Sequence, residues 1–392
     1  MKAFAALRPL RAFAARPSGT LLVVALGGVL SGCGGGAATP AAGPSIFIDA
    51  VGAAVEAVSE ARAAAKDGRI FITGGDRAIG GVPTVQMFDP ATKTFSAHGQ
   101  MLQRRFVHSA TVTSEGRLII AGGFNYDVGG RFLSTVEEYD TSTGLSVSRP
   151  ALCDARDNHH AVALDDGKIM FIGGDSDEAG YISRIEIYDP DGGPDRCDRH
   201  LSVGRVHEAV ADPGDGYVYV FGGLSVAPDF NVVYEKSIER ISKTTGEIEL
   251  AGSMHSGRKQ FEATPLKNGK VLITGGFQDG IPTGKAELYD PETGESVELP
   301  TMTVARAGHG ATLLADGKVL ISGGIGPDGV LQSTELFDAE SREFVVGPQM
   351  RAPRSLHVAI GSGDGGVLLS GGYQGNATYT GISGLVHEAI RR

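Results

Sequence analysis

The sequence predicts an all-β protein of seven repeated four-stranded units closed into a ring. Three observations predict it: a periodic Gly-Gly doublet, a hairpin recurring between doublets, and a strand at one end of the chain that completes the unit at the other. Doublets begin at Gly74, Gly122, Gly173, Gly222, Gly275, Gly323 and Gly371, at spacings of 48, 51, 49, 53, 48 and 48 residues. A period of this size marks a repeat architecture, and no segment keeps the helical spacing of apolar residues.

Each doublet ends a short apolar run led by a turn, as in Gly68-Arg69-Ile70-Phe71-Ile72-Thr73 and Gly317-Lys318-Val319-Leu320-Ile321-Ser322. A β-branched run bounded by glycine reads as a strand buried on both faces, and the doublet permits positive φ and close approach of chains. A further strand ends at Phe88-Asp89, Tyr139-Asp140, Tyr188-Asp189, Tyr289-Asp290 or Phe337-Asp338, where the aspartate favours a reverse turn through an Asx-type bond. A weaker strand then runs to Met101, Leu152, Leu201, Met254, Met302 or Met350, and four residues on stands an arginine: Arg105, Arg156, Arg205, Arg258, Arg306 or Arg354. The last unit stops after one further strand, Ile382 to Ile390, and Ser45 to Ala50 is expected to supply the missing one. Closure in this way removes exposed sheet edges. The expectation is a seven-bladed β-propeller over residues 45–392, the alternative count being six.

The doublet, the Tyr-Asp or Phe-Asp strand end and the Arg-x-x-His lead-in together resemble kelch repeats, the propeller type of the galactose oxidase central domain, over about residues 45–392. Kelch blades usually carry a tryptophan in the fourth strand. This chain has no Trp and offers Phe95, Leu145, Ile248, Val297 and Phe344 instead, so the position is expected to stay apolar.

Residues 1–32 carry Lys2, Arg8, Arg11 and Arg16, no acidic residue, and a 12-residue apolar run from Gly19 to Leu30. That run is too short to span a bilayer and suits an export signal. Leu30-Ser31-Gly32-Cys33 resembles a bacterial lipobox. The resemblance implies cleavage before Cys33, a diacylglyceryl group on its thiol and a further acyl chain, such as palmitate, on its amine. Residues 33–44 read as a flexible tether, and Gly34, where aspartate would favour inner-membrane retention, points to the outer membrane. Loss of the signal lowers the basic count from 35 to 31 against 46 acidic residues, a net charge of −15, which opposes nucleic-acid binding. An oxidising envelope permits a disulfide between Cys153 and Cys197, and the sequence leaves bonded and free states open.

Eight residues before each turn glycine stand Glu60, His108, His159, Glu208, Phe261, His309 and His357. On the propeller reading they lie on the innermost strands and are candidates to ring the channel mouth, either as structural histidines or as a polar ring for a sugar or peptide. A metal reading is disfavoured, because a seven-fold ring spreads its members too widely for one coordination sphere. The six arginines recur with Glu137, Glu186, Glu239, Glu287 and Glu335, which reads as a repeated Arg–carboxylate staple or as a cluster facing an anionic ligand. His159-His160 is the only His pair in the sequence and reads as one Arg-x-x-His plus an extra histidine.

Enzyme signatures are scarce. The chain has no phosphate-cradling Gly-Lys-Ser/Thr loop, no Cys-x-x-Cys, no His-Glu-x-x-His and no Gly-x-Ser-x-Gly. It also lacks the adjacent Tyr-His of galactose oxidase, so neither a catalytic residue nor a cofactor is assigned. The expectation is a monomeric lipoprotein, tethered through Cys33, that binds a protein, peptide or carbohydrate. The alternative is a carbohydrate-active kelch enzyme, oxidase-like or similar to the sialic-acid mutarotases, which use Arg and Glu around the channel.

Overall fold

The computed structural model describes residues 45–50, 60–77, 80–127, 130–178, 180–363, 365–375 and 384–389. The expected signal peptide, the tether and Cys33 lie outside the described residues. Among those described, every regular element is a strand, and the strands form seven antiparallel units with small two-stranded hairpins between them. The second unit shows the pattern: Ser109–Val112, Leu118–Ala121, Val136–Asp140 and Leu145–Arg149, in that order from the axis outwards. The second strand of every unit is buried throughout its core residues, as an apolar run bounded by glycine requires. The first unit holds an additional short strand, Asp76–Arg77.

The last unit is completed as the ends of the sequence suggest. Gly384–Ala389 pairs with Val367–Ser370 on one side and with Ser45–Ala50 on the other, the outer register running from Ser45 opposite Ala389 to Ala50 opposite Gly384. The innermost strands of the last and first units, Val358–Gly361 and Arg62–Lys66, are neighbours as well. Chain end therefore meets chain start both at the axis and at the rim.

Two fasteners join successive units, and each explains part of the repeat. The arginine is the stronger. Its carbonyl accepts from the second doublet glycine of the preceding unit, as in Gly123 N to Arg156 O at 2.8 Å and Gly324 N to Arg354 O at 2.9 Å. Its guanidinium donates to the first doublet glycine of its own unit, as in Arg306 Nη1 to Gly323 O at 2.7 Å. Behind the guanidinium stands the carboxylate of the third strand, at 2.8 Å for Arg105–Glu137 and 3.5 Å for Arg156–Glu186. Arg205–Glu239, Arg258–Glu287 and Arg306–Glu335 repeat the arrangement. The glycine is required at this junction: Gly122 sits at φ 63°, and a Cβ there would meet both the Arg156 carbonyl oxygen and His159 Cε1 at 2.6 Å.

The Tyr-Asp strand end supplies a second fastener. Tyr188 Oη donates to Pro150 O at 2.7 Å and Tyr289 Oη to Ala251 O at 2.8 Å, each reaching the outer strand region of the preceding unit. The adjoining aspartates close the expected Asx turns, with Ser142 N donating to Asp140 Oδ1 at 2.7 Å. A covalent link is added within the third unit. Cys153, in the lead-in to the third unit, is bonded to Cys197 on that unit's outer strand, with Cα atoms 6.6 Å apart.

The Trp replacements divide. Phe95 packs on Phe88 with ring centroids 4.9 Å apart, and Phe344 on Phe337 at 5.0 Å. Leu145 and Val297 are instead exposed, at 66% and 50%. Ile248 packs inward, against the cluster that holds Val218 and Ile241.

Candidate functional site: the mouth and wall of the axial channel

Seven residues, one from each unit, stand in the left-handed region immediately before the innermost strands: Glu60, Val107, Asn158, His207, Gln260, Gly308 and Leu356. Six of the seven donate the N–H to the carbonyl of their counterpart in the preceding unit: Val107 to Glu60 at 3.2 Å, Asn158 to Val107 at 2.9 Å, Gln260 to His207 at 3.1 Å, Gly308 to Gln260 at 2.9 Å and Leu356 to Gly308 at 3.0 Å. Glu60 N to Leu356 O at 3.2 Å joins first unit to last. This belt of peptide groups frames the channel mouth, and it left no trace in residue type because only the backbone takes part.

The belt corrects the register of one residue. The hairpin of the first unit has a two-residue loop, Asp67-Gly68, where the second unit has three, Ser114 to Gly116. Glu60 is therefore the counterpart of Val107, and Ala61 is the counterpart of His108.

The four histidines expected at the mouth are packed between units rather than presented to it. His108 Nε2 meets Thr73 Oγ1 at 2.8 Å, His159 meets Ser109 Oγ at 2.9 Å, His309 meets Thr274 Oγ1 at 3.0 Å and His357 meets Ser322 Oγ at 2.9 Å. Each imidazole also covers the first doublet glycine of the preceding unit, Cε1 standing 2.6–3.1 Å from where a Cβ would be. Burial, helped by the neighbouring arginines, pulls all four pKa values far below the usual imidazole range, to about 3 for His357. They are neutral links between units. Phe261 takes the same place with Phe221 before the doublet. The six arginines likewise lie inside the units, at most 1% exposed.

Glu208 departs from this pattern. Ile172 stands before the preceding doublet, where Thr73, Thr274 and Ser322 offer a hydroxyl, and among the described residues neither carboxyl oxygen of Glu208 finds a donor in another side chain or peptide. Burial pushes its pKa up to about 8 against the opposing charges of Arg205 and Arg156.

One residue further along the innermost strands, three units carry an ionisable side chain: Arg62, His160 and Glu262. All three are half-buried within the ring. Arg62 is the central charge: Glu60, Glu262 and Asp157 lie near enough to hold it protonated against the cost of burial. Burial lifts Glu262 to about 8, opposed by Arg62. It lowers His160 to about 4, with Arg62 adding to the effect and the Glu208 carbonyl, 3.0 Å from His160 Nε2, opposing it. Near neutrality the wall thus holds a fixed cation, a neutral imidazole and a carboxyl close to its titration point. These groups donate and accept hydrogen bonds to hydroxyl-rich or peptide ligands, and Glu262 can exchange a proton.

The rim above this wall is aromatic on one side. Phe106 precedes the belt residue Val107 and stacks on Tyr126 with centroids 5.3 Å apart, while Phe124 meets Phe132 edge-on at 5.2 Å. Tyr126 is 48% exposed. Farther round, the hairpin of Leu224–Val226 and Val232–Tyr234 carries an outward Phe230 at its tip. Both hairpins follow a Gly-Gly doublet.

The sequence singled out His159 and treated His160 as extra; the pleat puts His160 on the wall and His159 in the joint. Copper chemistry of the galactose oxidase kind does not fit these residues, since the wall strands supply one imidazole at this level and no Tyr-His pair. The one group with metal-ligand proximity among the described residues is Cys153, Glu186 and Cys197, within 4.8 Å, and there both sulfurs form the disulfide and Glu186 faces Arg156.

Comparison with known proteins agrees with this architecture. The Kelch motif model matches residues 105–146 and 265–303. The chain is similar to Beta-scruin of Limulus polyphemus, 25% identical over 211 residues, covering 50% of this chain and 22% of that protein. It is also similar to Kelch-like protein 25 of Xenopus tropicalis, 27% identical over 231 residues, covering 57% of this chain and 37% of that one. The chain thus spans well under half the length of either relative. Among solved structures, a fungal alcohol oxidase of the AA5 family, in complex with copper, superposes with a TM-score of 0.67 at 17% identity, covering 88% of this chain and 76% of that one. At that identity the likeness is one of fold. The chain thus carries the Kelch motif in two stretches of a β-propeller fold.

Proposed function

We propose that this protein is a lipid-anchored binding module of the bacterial envelope whose channel mouth takes a carbohydrate. The observation that carries this reading is the Arg62–His160–Glu262 wall beneath the aromatic rim of Phe106, Phe124, Tyr126 and Phe132. Such a mouth can stack a sugar ring on an aromatic face and satisfy its hydroxyls with convergent polar groups. The Leu30-Ser31-Gly32-Cys33 pattern supports the tether, and outer-membrane attachment follows from Gly34 on the same reading. Exposed Phe230 supports a protein contact at the same face as the alternative ligand class.

The test uses protein extracted from membranes and a glycan array, followed by titration of the best ligand. Arg62→Gln, Glu262→Gln and Tyr126→Ala are each expected to weaken binding at least tenfold, and Cys33→Ala is expected to move the chain into the soluble fraction with its affinity intact. Binding unaffected by all three mouth variants overturns the site, and retention of Cys33→Ala in the membrane overturns the tether. A second reading, a carbohydrate-active enzyme, draws on the carboxyl of Glu262 close to its titration point. It is favoured instead if the bound sugar is turned over and Glu262→Gln abolishes turnover.

A further inference from the structure

Five of the six lead-in arginines face a glutamate of the third strand, always at one register position. Glu137 lies opposite Ile120, Glu186 opposite Phe171, Glu239 opposite Val220, Glu287 opposite Ile273 and Glu335 opposite Ile321. In the last unit the same position, opposite Leu369, is Gly384. No aspartate or glutamate occurs between Gly371 and His387, so no neighbour in that stretch replaces the missing carboxylate. Arg354 is nevertheless as buried as its counterparts, at 1% exposure, and its hydrogen bond among the described residues is Nη1 to the Gly371 carbonyl at 3.0 Å. Burial without an opposing anion lowers its pKa to about 10.

The same glutamate serves a second donor in the units that carry it. In the five units that carry the glutamate, the carboxylate faces the guanidinium and also accepts a backbone N–H three residues before the arginine. The donors are Leu102 to Glu137 at 2.6 Å, Cys153 to Glu186 at 3.0 Å, Ser202 to Glu239 at 2.9 Å, His255 to Glu287 at 2.8 Å and Thr303 to Glu335 at 2.7 Å. Arg351 is the residue at that place in the last unit. The glycine thus removes a side chain, and with it a volume, from a slot where the repeat sets a guanidinium and a peptide N–H to hold one carboxylate. A buried, uncompensated cation is strongly unfavourable, and an anion that restores the pair is bound with that penalty as part of its driving force.

We propose that the closing blade binds a small organic carboxylate, of formate or acetate size, between the Arg354 guanidinium and the Arg351 N–H. The bound anion stands in for the glutamate that five of the other units carry and completes the blade in which Ser45–Ala50 pairs with Gly384–Ala389. A monatomic anion such as chloride satisfies the charge but cannot bridge the two donors.

The experiment titrates the full-length protein with ¹³C-formate at constant ionic strength, reading the ¹³C signal and the thermal midpoint together. The native protein is expected to show a saturable shift and a midpoint raised by several degrees at saturation, with chloride needing at least tenfold higher concentration for the same rise. Gly384→Glu places the carboxylate in register and is expected to raise the midpoint without formate and to abolish the ¹³C shift. Should that variant misfold, Arg354→Gln provides the same test from the other side, with saturable binding lost in a protein whose disulfide and fold persist. A formate effect that is linear in concentration, matched by chloride, or retained in Arg354→Gln overturns the proposal.

Discussion

Replacing Arg306 by alanine is expected to lower the free energy of unfolding by about 3–5 kcal/mol, because it strands a buried carboxylate. Arg306 Nη2 lies 2.8 Å from Glu335 Oε1, and both side chains are at most 1% exposed. Glu335 also accepts the N–H groups of Thr303 at 2.7 Å and Val304 at 3.1 Å. Loss of the guanidinium therefore removes the charge partner and uncovers the Gly323 and Ser333 carbonyls that accept from Nη1 at 2.7 and 3.2 Å. The double replacement Arg306→Met with Glu335→Leu removes both charges together and is expected to cost much less than the sum of the single changes. Urea unfolding of the three variants checks this, and a single-variant loss below about 1 kcal/mol contradicts the staple.

Acid is the second strong perturbation. His108, His159, His309, His357 and His160 all have folded pKa values lowered by burial. In the unfolded chain they protonate near pH 6.5. Below that value the unfolded state binds protons that the folded state refuses, so stability present above pH 6.5 is lost as the pH falls toward the folded values of about 4 for His160 and about 3 for His357. The slope is about 1.4 kcal/mol per imidazole for each pH unit. Glu208 and Glu262 act with the opposite sign, since raised carboxyl pKa values of about 8 contribute stability that is lost as the pH rises above the unfolded value. Five imidazoles outweigh two carboxyls, so the urea midpoint is expected to fall steeply between pH 6 and 4.5, less so in a His108→Gln, His309→Gln variant. A flat profile across that window contradicts the buried, neutral assignment.

Much of the ring was legible in the sequence because the repeat writes its joints in residue type. Doublet glycines mark positions where a Cβ collides, Tyr-Asp marks the link and turn at the third strand, and each Arg–Glu pair recurs at a separation of 29–34 residues. The channel mouth was harder to read. Its belt is made of peptide groups, so Glu60, Val107 and Leu356 occupy equivalent places without chemical likeness. The wall differed from the predicted polar ring by one residue, and strand alternation turns such a step into a change of face. His159 and His160 are adjacent, yet one fastens two units and the other lies on the wall, where Arg62 acts on it. A pattern signal existed after the fact: Arg62, His160 and Glu262 share one register, opposite the residue before the doublet.

The mouth, its wall and the carboxylate slot all depend on the two chain ends meeting in one blade, and engineered disulfides test that directly. Ile46→Cys with Glu388→Cys and Phe47→Cys with His387→Cys join residues that are adjacent register partners. Neighbouring antiparallel pairs alternate in spacing within the range a disulfide accepts. The closed ring predicts that at least one pair oxidises spontaneously to a species of faster non-reducing mobility, while the displaced pair Ile46→Cys with Leu385→Cys does not. Failure of both aligned pairs, or equal oxidation of the displaced one, would contradict the closure.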